Sequence, residues 1–143
     1  MIAFTVDGDP RGKGRPRFAP GGRAYTDAKT RAYETAIGYA ARAAMRGREP
    51  LGGLVAVDLV VRLQPPARTP KARRAALVAG GGAMRGRFDL DNVAKAILDG
   101  VNGIAFADDR QVVALTARQV AAETAGVDVV ISPHDEPRRA NDG

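Results

Sequence analysis

Apolar positions along this chain repeat with two different periods. Between Leu54 and Leu63, Val55, Val57, Leu59 and Val61 alternate with Ala56, Asp58, Val60 and Arg62. A two-residue repeat is the mark of a half-buried strand, and Pro65 and Pro66 end it. Between Asp89 and Asn102 the period lengthens. Val93, Ala94, Ile97, Leu98 and Val101 fall on one stripe of a helix, with Gly103 as its natural stop. A second long helix is predicted from a cap at Thr26 or Asp27 to about Arg46. Its apolar positions are Ala32, Ala36, Ile37, Ala40 and Ala44, and its alanine content favours helix.

The remaining segments fit around these. Met1 to Val6 is β-prone and predicts a first strand. Asp9 to Gly22 is a loop, broken by Pro10, Pro16 and Pro20. Thr69 to Val78 predicts a short basic helix with Pro70 at its first position. Gly80 to Gly82 stop it, and Gly80 to Arg87 is expected to move when no ligand is held. Gln111 to Val120 and Gly126 to Ile131 predict two more strands, paired as a hairpin across Ala121 to Ala125. The order is β-α-β-(α)-α-β-β. It is that of an α+β single domain, a small mixed sheet packed with two main helices. The domain is expected over 1–132, with 133–143 a polar, frayed tail.

Composition narrows the chemistry. The chain has 143 residues, enough for one real core, and 45% of them are hydrophobic. Cysteine is absent, which excludes disulfides, thiolate zinc sites and cysteine nucleophiles. The start MIAFTVDGDP lacks the basic-then-apolar pattern of a leader, and no apolar run approaches the roughly 18 residues of a membrane span. A soluble cytoplasmic protein with no membrane partner is expected.

Charge changes the picture more. Formal net charge is +6, which suits a polyanion, because each phosphate contact releases counterions. The charge is also segregated. Arg11, Lys13, Arg15, Arg17, Arg23, Lys29 and Arg31 face a single acid, Asp27. Arg68, Lys71, Arg73, Arg74, Arg85 and Arg87 face none. The sign then reverses: Asp89, Asp91, Asp99, Asp108 and Asp109 surround one base, Lys95. Clustered aspartates repel phosphate unless they hold a cation, which inverts the local field and draws phosphate in.

The acidic segment is FDLDNVAKAILDGVNGIAFADDRQVV, Phe88 to Val113. Spacing by four puts Asp91, Lys95 and Asp99 on one helix face, opposite the apolar stripe. Asp89 lies two residues before Asp91. A following strand that folds back beside the helix start would bring Asp109 next to both. Three carboxylates without histidine or cysteine make a hard oxygen site, suited to Mg²⁺ or Mn²⁺ rather than zinc. Such a site fits phosphodiester hydrolysis, with Lys95 contacting phosphate or orienting the attacking water. Each residue also has a plainer role open to it. Asp89 or Asp91 would serve as a helix cap or first-turn acid, Asp91 and Lys95 as a surface pair, and Asp108-Asp109 as a solvated turn. Spacing alone leaves both accounts open. Gly8 to Gly14 lacks the P-loop pattern; Lys13, Arg15 and Arg17 read as DNA-backbone contacts in preference to a merely solvated loop. His134, the only histidine, is not expected in catalysis.

At Asp89-Leu90-Asp91-Asn92, Lys95, Asp99, Asn102-Gly103 and Asp108-Asp109 followed by Gln111-Val112-Val113, the sequence resembles the RusA-type crossover junction endodeoxyribonucleases, which resolve Holliday junctions. Lys13-Gly14-Arg15-Pro16-Arg17-Phe18 is similar to an early motif of many phage-type members. The resemblance implies that Asp89, Asp91 and Asp109 are metal-binding catalytic acids and Lys95 the essential lysine, with Asp108 a further metal candidate. Asn92 is expected to fix the helix start and Asp99 to support Lys95. Lys13, Arg15, Arg17, Arg73, Arg74, Arg85 and Arg87 are expected to hold DNA. A magnesium-dependent homodimer cutting four-way junctions is implied, with a broader branched-DNA nuclease and a non-catalytic nucleic-acid-binding relative as alternatives. Gly100 stands where the family usually has Ala, and Phe88 where many members have Pro.

Overall fold

The computed structural model describes residues 1–12, 17–18, 21, 24–25 and 28–134. Its centre is a four-stranded sheet ordered β1-β6-β4-β5. The strands are β1 (Ile2–Asp7), β4 (Val55–Leu63), β5 (Val112–Ala121) and β6 (Gly126–Pro133). A separate ladder pairs β2 (Arg17–Phe18) with β3 (Ala24–Tyr25). The loop read between Asp9 and Gly22 therefore contains a short strand, paired with β3. The helices are α1 (Ala28–Met45), α2 (Lys71–Gly80) and α3 (Leu90–Val101). This is the expected α+β fold with a mixed sheet and two main helices. No helix among the described residues is long and apolar enough to cross a membrane.

The alternation in β4 does what its period predicted. Val55, Val57, Leu59 and Val61 are buried, beside Val127, Val129 and Ile131 of β6 and Ile2 of β1. Against them pack Ile37, Ala41 and Met45 of α1 and Val93, Ala94, Ile97 and Val101 of α3. Burying each large aliphatic side chain contributes about 1.5–3 kcal/mol. The opposite sheet face is polar: Arg62 pairs with Asp7 at 3.2 Å and Asp128 at 3.3 Å, and Thr5 donates to Asp128 at 2.8 Å.

Four expectations are corrected. First, β5 and β6 form no hairpin, because β4 lies between them, parallel to β5 and antiparallel to β6. The connection from β4 to β5 through α2 and α3 is the long crossover that parallel strands require. Second, the buried face of α1 is Thr30, Ile37, Gly38, Ala41 and Met45, whereas Ala32 and Ala36 are exposed. Alanine fits either side of a helix, and the large Ile37 and Met45 decide which side turns inward. Third, Pro70 is the residue before the α2 helix proper, not its first turn position. Fourth, part of the segment after α2 is tied down. Gly81, with φ 58°, ends the helix, and the chain then runs along β5, with Ala121 N–H on Gly82 O at 2.8 Å and Met84 N–H on Gln119 O at 3.3 Å. The last strand also runs past Ile131 to Pro133, and His134 N–H donates to Leu54 O at 2.9 Å. Residues 135–143 lie outside the described residues.

Gly100 explains its own departure from alanine. A Cβ there would lie 2.8 Å from Ile37 Cβ and 2.9 Å from Glu34 O. Helices α1 and α3 cross too closely for any side chain at this point. The loss of helix propensity, up to about 1 kcal/mol, is offset by that contact.

Candidate active site

Asp89 caps α3 with extended backbone, and its carbonyl accepts from Asn92 N–H at 3.0 Å and Val93 N–H at 3.1 Å. Its side chain makes no capping hydrogen bond. The plainer role of an N-cap, in which the carboxylate satisfies a helix N–H, is thus not realised. Asp91 is exposed in the first turn, where the helix dipole favours negative charge. Lys95 is exposed one turn further on. Among the described residues, Asp89, Asp91 and Lys95 form no side-chain hydrogen bond or ion pair. The four-residue spacing therefore gives no Asp91–Lys95 surface pair, and Lys95 is not paired with Asp99 either. Two carboxylates and an ammonium stand uncommitted on one helix start.

Gly12 positions the residue in front of them. A Cβ at Gly12 would lie 2.8 Å from Phe88 Cβ, so the N-terminal segment rests directly on Phe88. Thr30 Oγ1 donates to Gly12 O at 3.5 Å and joins that segment to α1. The guanidinium carbons of Arg11 and Arg87 stand 5.0 and 5.7 Å from the Phe88 ring centre. Cation–π contacts of this kind fix the ring just before Asp89.

Asp108 and Asp109 behave differently from each other. Asp108 caps a 3₁₀ turn over Asp109–Gln111 and forms a reciprocal capping box with Gln111. One Asp108 oxygen accepts from Arg110 N–H at 2.9 Å, and the other from Arg110 Nε and Nη2 at 3.2 and 3.0 Å. These bonds hold its carboxyl down at about 2. Gln111 returns its Oε1 to Asp108 N–H at 2.9 Å and donates Nε2 to Leu51 O and Gly53 O, each at 2.8 Å. The turn is thereby fastened to the segment before β4. Arg110 and Gln111 were missed as positioning residues, although Asp-x-x-Gln is itself a readable capping signal. Asp109 is exposed within this turn.

The structure does not bring Asp109 beside Asp89 and Asp91. The turn sits at the start of β5, next to Leu51 and Gly53, while Asp89 begins α3 near the end of β4. Helix α3 spans 12 residues between the two ends, a length of about 18 Å at 1.5 Å per residue. The strand after α3 runs antiparallel to it, so its start lies beside the helix end, not the helix start. Among the described residues, no three Asp, Glu or His side chains gather closely enough to hold a metal ion.

Other expected residues divide similarly. Asn92 is half-buried in the first turn of α3, and Asp99 is exposed near the other end of that helix. Arg73, Arg85 and Arg87 are exposed. Arg74 is spent inside the protein, donating to Pro65 O and Pro66 O at 3.0 Å each. Lys13 and Arg15 lie outside the described residues, and for Arg17 only the strand backbone is described.

Comparison with known proteins covers nearly the whole chain. A family model described as endodeoxyribonuclease RusA matches residues 7–132. The chain belongs to the RusA endodeoxyribonuclease family. As a RusA-family protein it is a nuclease, a hydrolase that acts on DNA. The RusA match spans the sheet from the end of β1 into β6 and includes both ends of α3. The chain is also similar to the uncharacterised protein YqaN of Bacillus subtilis (strain 168), at 29% identity over 135 residues, covering 91% of this chain and 94% of that one.

Proposed function

We propose that this RusA-family protein is a divalent-metal-dependent endonuclease that resolves Holliday junctions as a homodimer. The observation that carries the proposal is the uncommitted trio at the start of α3. Asp89 and Asp91 supply only oxygen donors and are spent on no protein partner, which fits Mg²⁺, an ion commonly held by one or two carboxylates. When bound, Mg²⁺ or Mn²⁺ supplies an activated water and offsets charge on the phosphate. Asp89 and Asp91 hold that ion; Lys95, one turn along the same face, draws the phosphate oxygen inward. Exposed Arg73, Arg85 and Arg87 carry the DNA strand toward them.

Asp109 joins this site from a second copy. Within one chain α3 keeps it from Asp89 and Asp91, so a two-fold arrangement in which each Asp109 faces its partner's helix start gives two identical, complete acid sets. A four-way junction is itself two-fold symmetric and takes paired incisions, which matches such a dimer. The deciding experiment is incubation of a synthetic four-way junction with the protein, with and without Mg²⁺. Symmetric nicks are expected only with the metal. Asp91→Asn is expected to lower cleavage at least about 10²-fold, the scale of losing one group that stabilises transition-state charge, while junction binding persists. Equal cleavage of junction and linear duplex would instead favour a less selective nuclease.

A further inference from the structure

Immediately beside Phe88 is a cavity of about 390 Å³, within the range of about 300–1,000 Å³ typical of small-ligand sites. Its walls include Pro10, Leu63, Pro65, Met84 and Phe88. Pro10 and Pro65 are buried and their rigid apolar rings form part of the wall, with Phe88 the aromatic ring in the lining. At its rim are Arg85 and Arg87, both exposed and one residue apart from Gly86. Gln119 on β5 supplies the polar wall. Its Nε2 donates to Met84 O at 3.2 Å, which leaves Oε1 as an acceptor. A Cβ on Gly86 would stand 2.7 Å from that Oε1 and 3.2 Å from Leu63 Cδ1, so this side of the cavity exists because residue 86 has no side chain.

Asp9, Arg11 and Gln64 complete the polar lining. An apolar wall with one aromatic ring, amide oxygens and guanidinium groups fits a nucleotide with its base inside and its phosphate outside. We infer that this cavity takes one unstacked nucleobase from the strand whose phosphate lies at Asp89 and Asp91. The inference rests on the nuclease reading above and adds to it a second contact, specific to the base. Duplex DNA keeps its bases stacked, whereas strands that exchange at a branch point present bases that unstack at low cost. Base recognition in such pockets comes from stacking on flat side chains, with hydrogen bonds to the base edge. The free Oε1 of Gln119 accepts from an exocyclic amino group, which adenine, cytosine and guanine carry and thymine lacks. The cavity therefore turns a structure-selective contact into a sequence preference.

The test uses four-way junctions carrying 2-aminopurine, a base whose fluorescence rises on unstacking, stepped through each position near the cut. With Asp91→Asn protein, to prevent incision, one position per strand is expected to brighten on binding. Adding Gly86→Val, which narrows the cavity on its Gln119 side, is expected to remove that signal and to weaken junction binding by about fivefold or more. An independent arm needs no cavity variant. Wild-type protein on a junction with an abasic residue at the brightened position is expected to cut that strand at least about fivefold more slowly, the low end of what one stacked base contributes. No brightening at any position, or a base-free site cut as fast as an intact one, would overturn the inference while junction cleavage itself kept the nuclease reading standing. Absence of both junction binding and cleavage would overturn the two together.

Discussion

The two ends of α3 carry the same residue type and treat it in opposite ways. At the start, Asp89 and Asp91 have no side-chain partner among the described residues. Beyond the far end, Asp108 has both oxygens engaged by Arg110, and Gln111 pins the turn to Leu51 and Gly53. One end is a rigid mount built from internal hydrogen bonds. The other is a pair of charges left waiting for something from outside. Internal hydrogen bonds engage one aspartate and leave the other two without a side-chain partner, and motif spacing cannot distinguish them.

The strongest way to break this comparison is to mix two variants. Asp91→Asn and Asp109→Asn are each expected to be inactive as homodimers. Mixed and allowed to exchange subunits, they are expected to recover about a quarter of wild-type junction cleavage, since about half the dimers are mixed and each then holds one intact site of two. A complete acid set within one chain predicts no recovery at all. Next in size is Gly100→Ala. A better helix former is expected to destabilise the fold by about 1–3 kcal/mol, because Ile37 Cβ and a backbone oxygen block the methyl; urea unfolding reads this directly. Gln111→Leu tests the mount. Losing its bonds to Leu51, Gly53 and Asp108 is expected to cost about 1–2 kcal/mol and to slow cleavage while leaving junction binding intact, because only Asp109 is displaced. The smallest effect is the acid response of the turn. Asp108 is depressed from an ordinary 3.8 to about 2, so its contribution is complete above the ordinary value and fades as pH falls toward about 2. A carboxyl titration by NMR should find that midpoint, and Arg110→Ala should raise it.

What could be read from sequence followed the strength of the local signal. The two-residue period of β4 and the apolar stripe of α3 gave both elements and their buried faces, because large side chains at regular spacing leave one way to hide them. The face of α1 was misjudged where alanine carried the pattern. Pairing was the greater loss. Nothing within Gln111 to Ile131 says that β4 lies between its two halves, since a hairpin and a crossover use the same periods. Separately, motif spacing does not say which end of α3 the start of β5 lies beside, and Asp109 was expected at the other end. The start of α3 and the Asp108–Asp109 turn were legible as motif positions, and the distance between them was not.

The position of β6 has a consequence for how the chain comes into being. It fills the gap between β1, an edge strand made well before it in the chain, and β4, the other inner strand. Until residues 126–133 leave the ribosome, β1 has no neighbour in the four-stranded sheet and β4 has one bare edge. A nascent or prematurely ended chain thus displays two unpaired apolar borders, the template on which strands from other molecules add. The sheet closes only once residues 126–133 are available to β1 and β4.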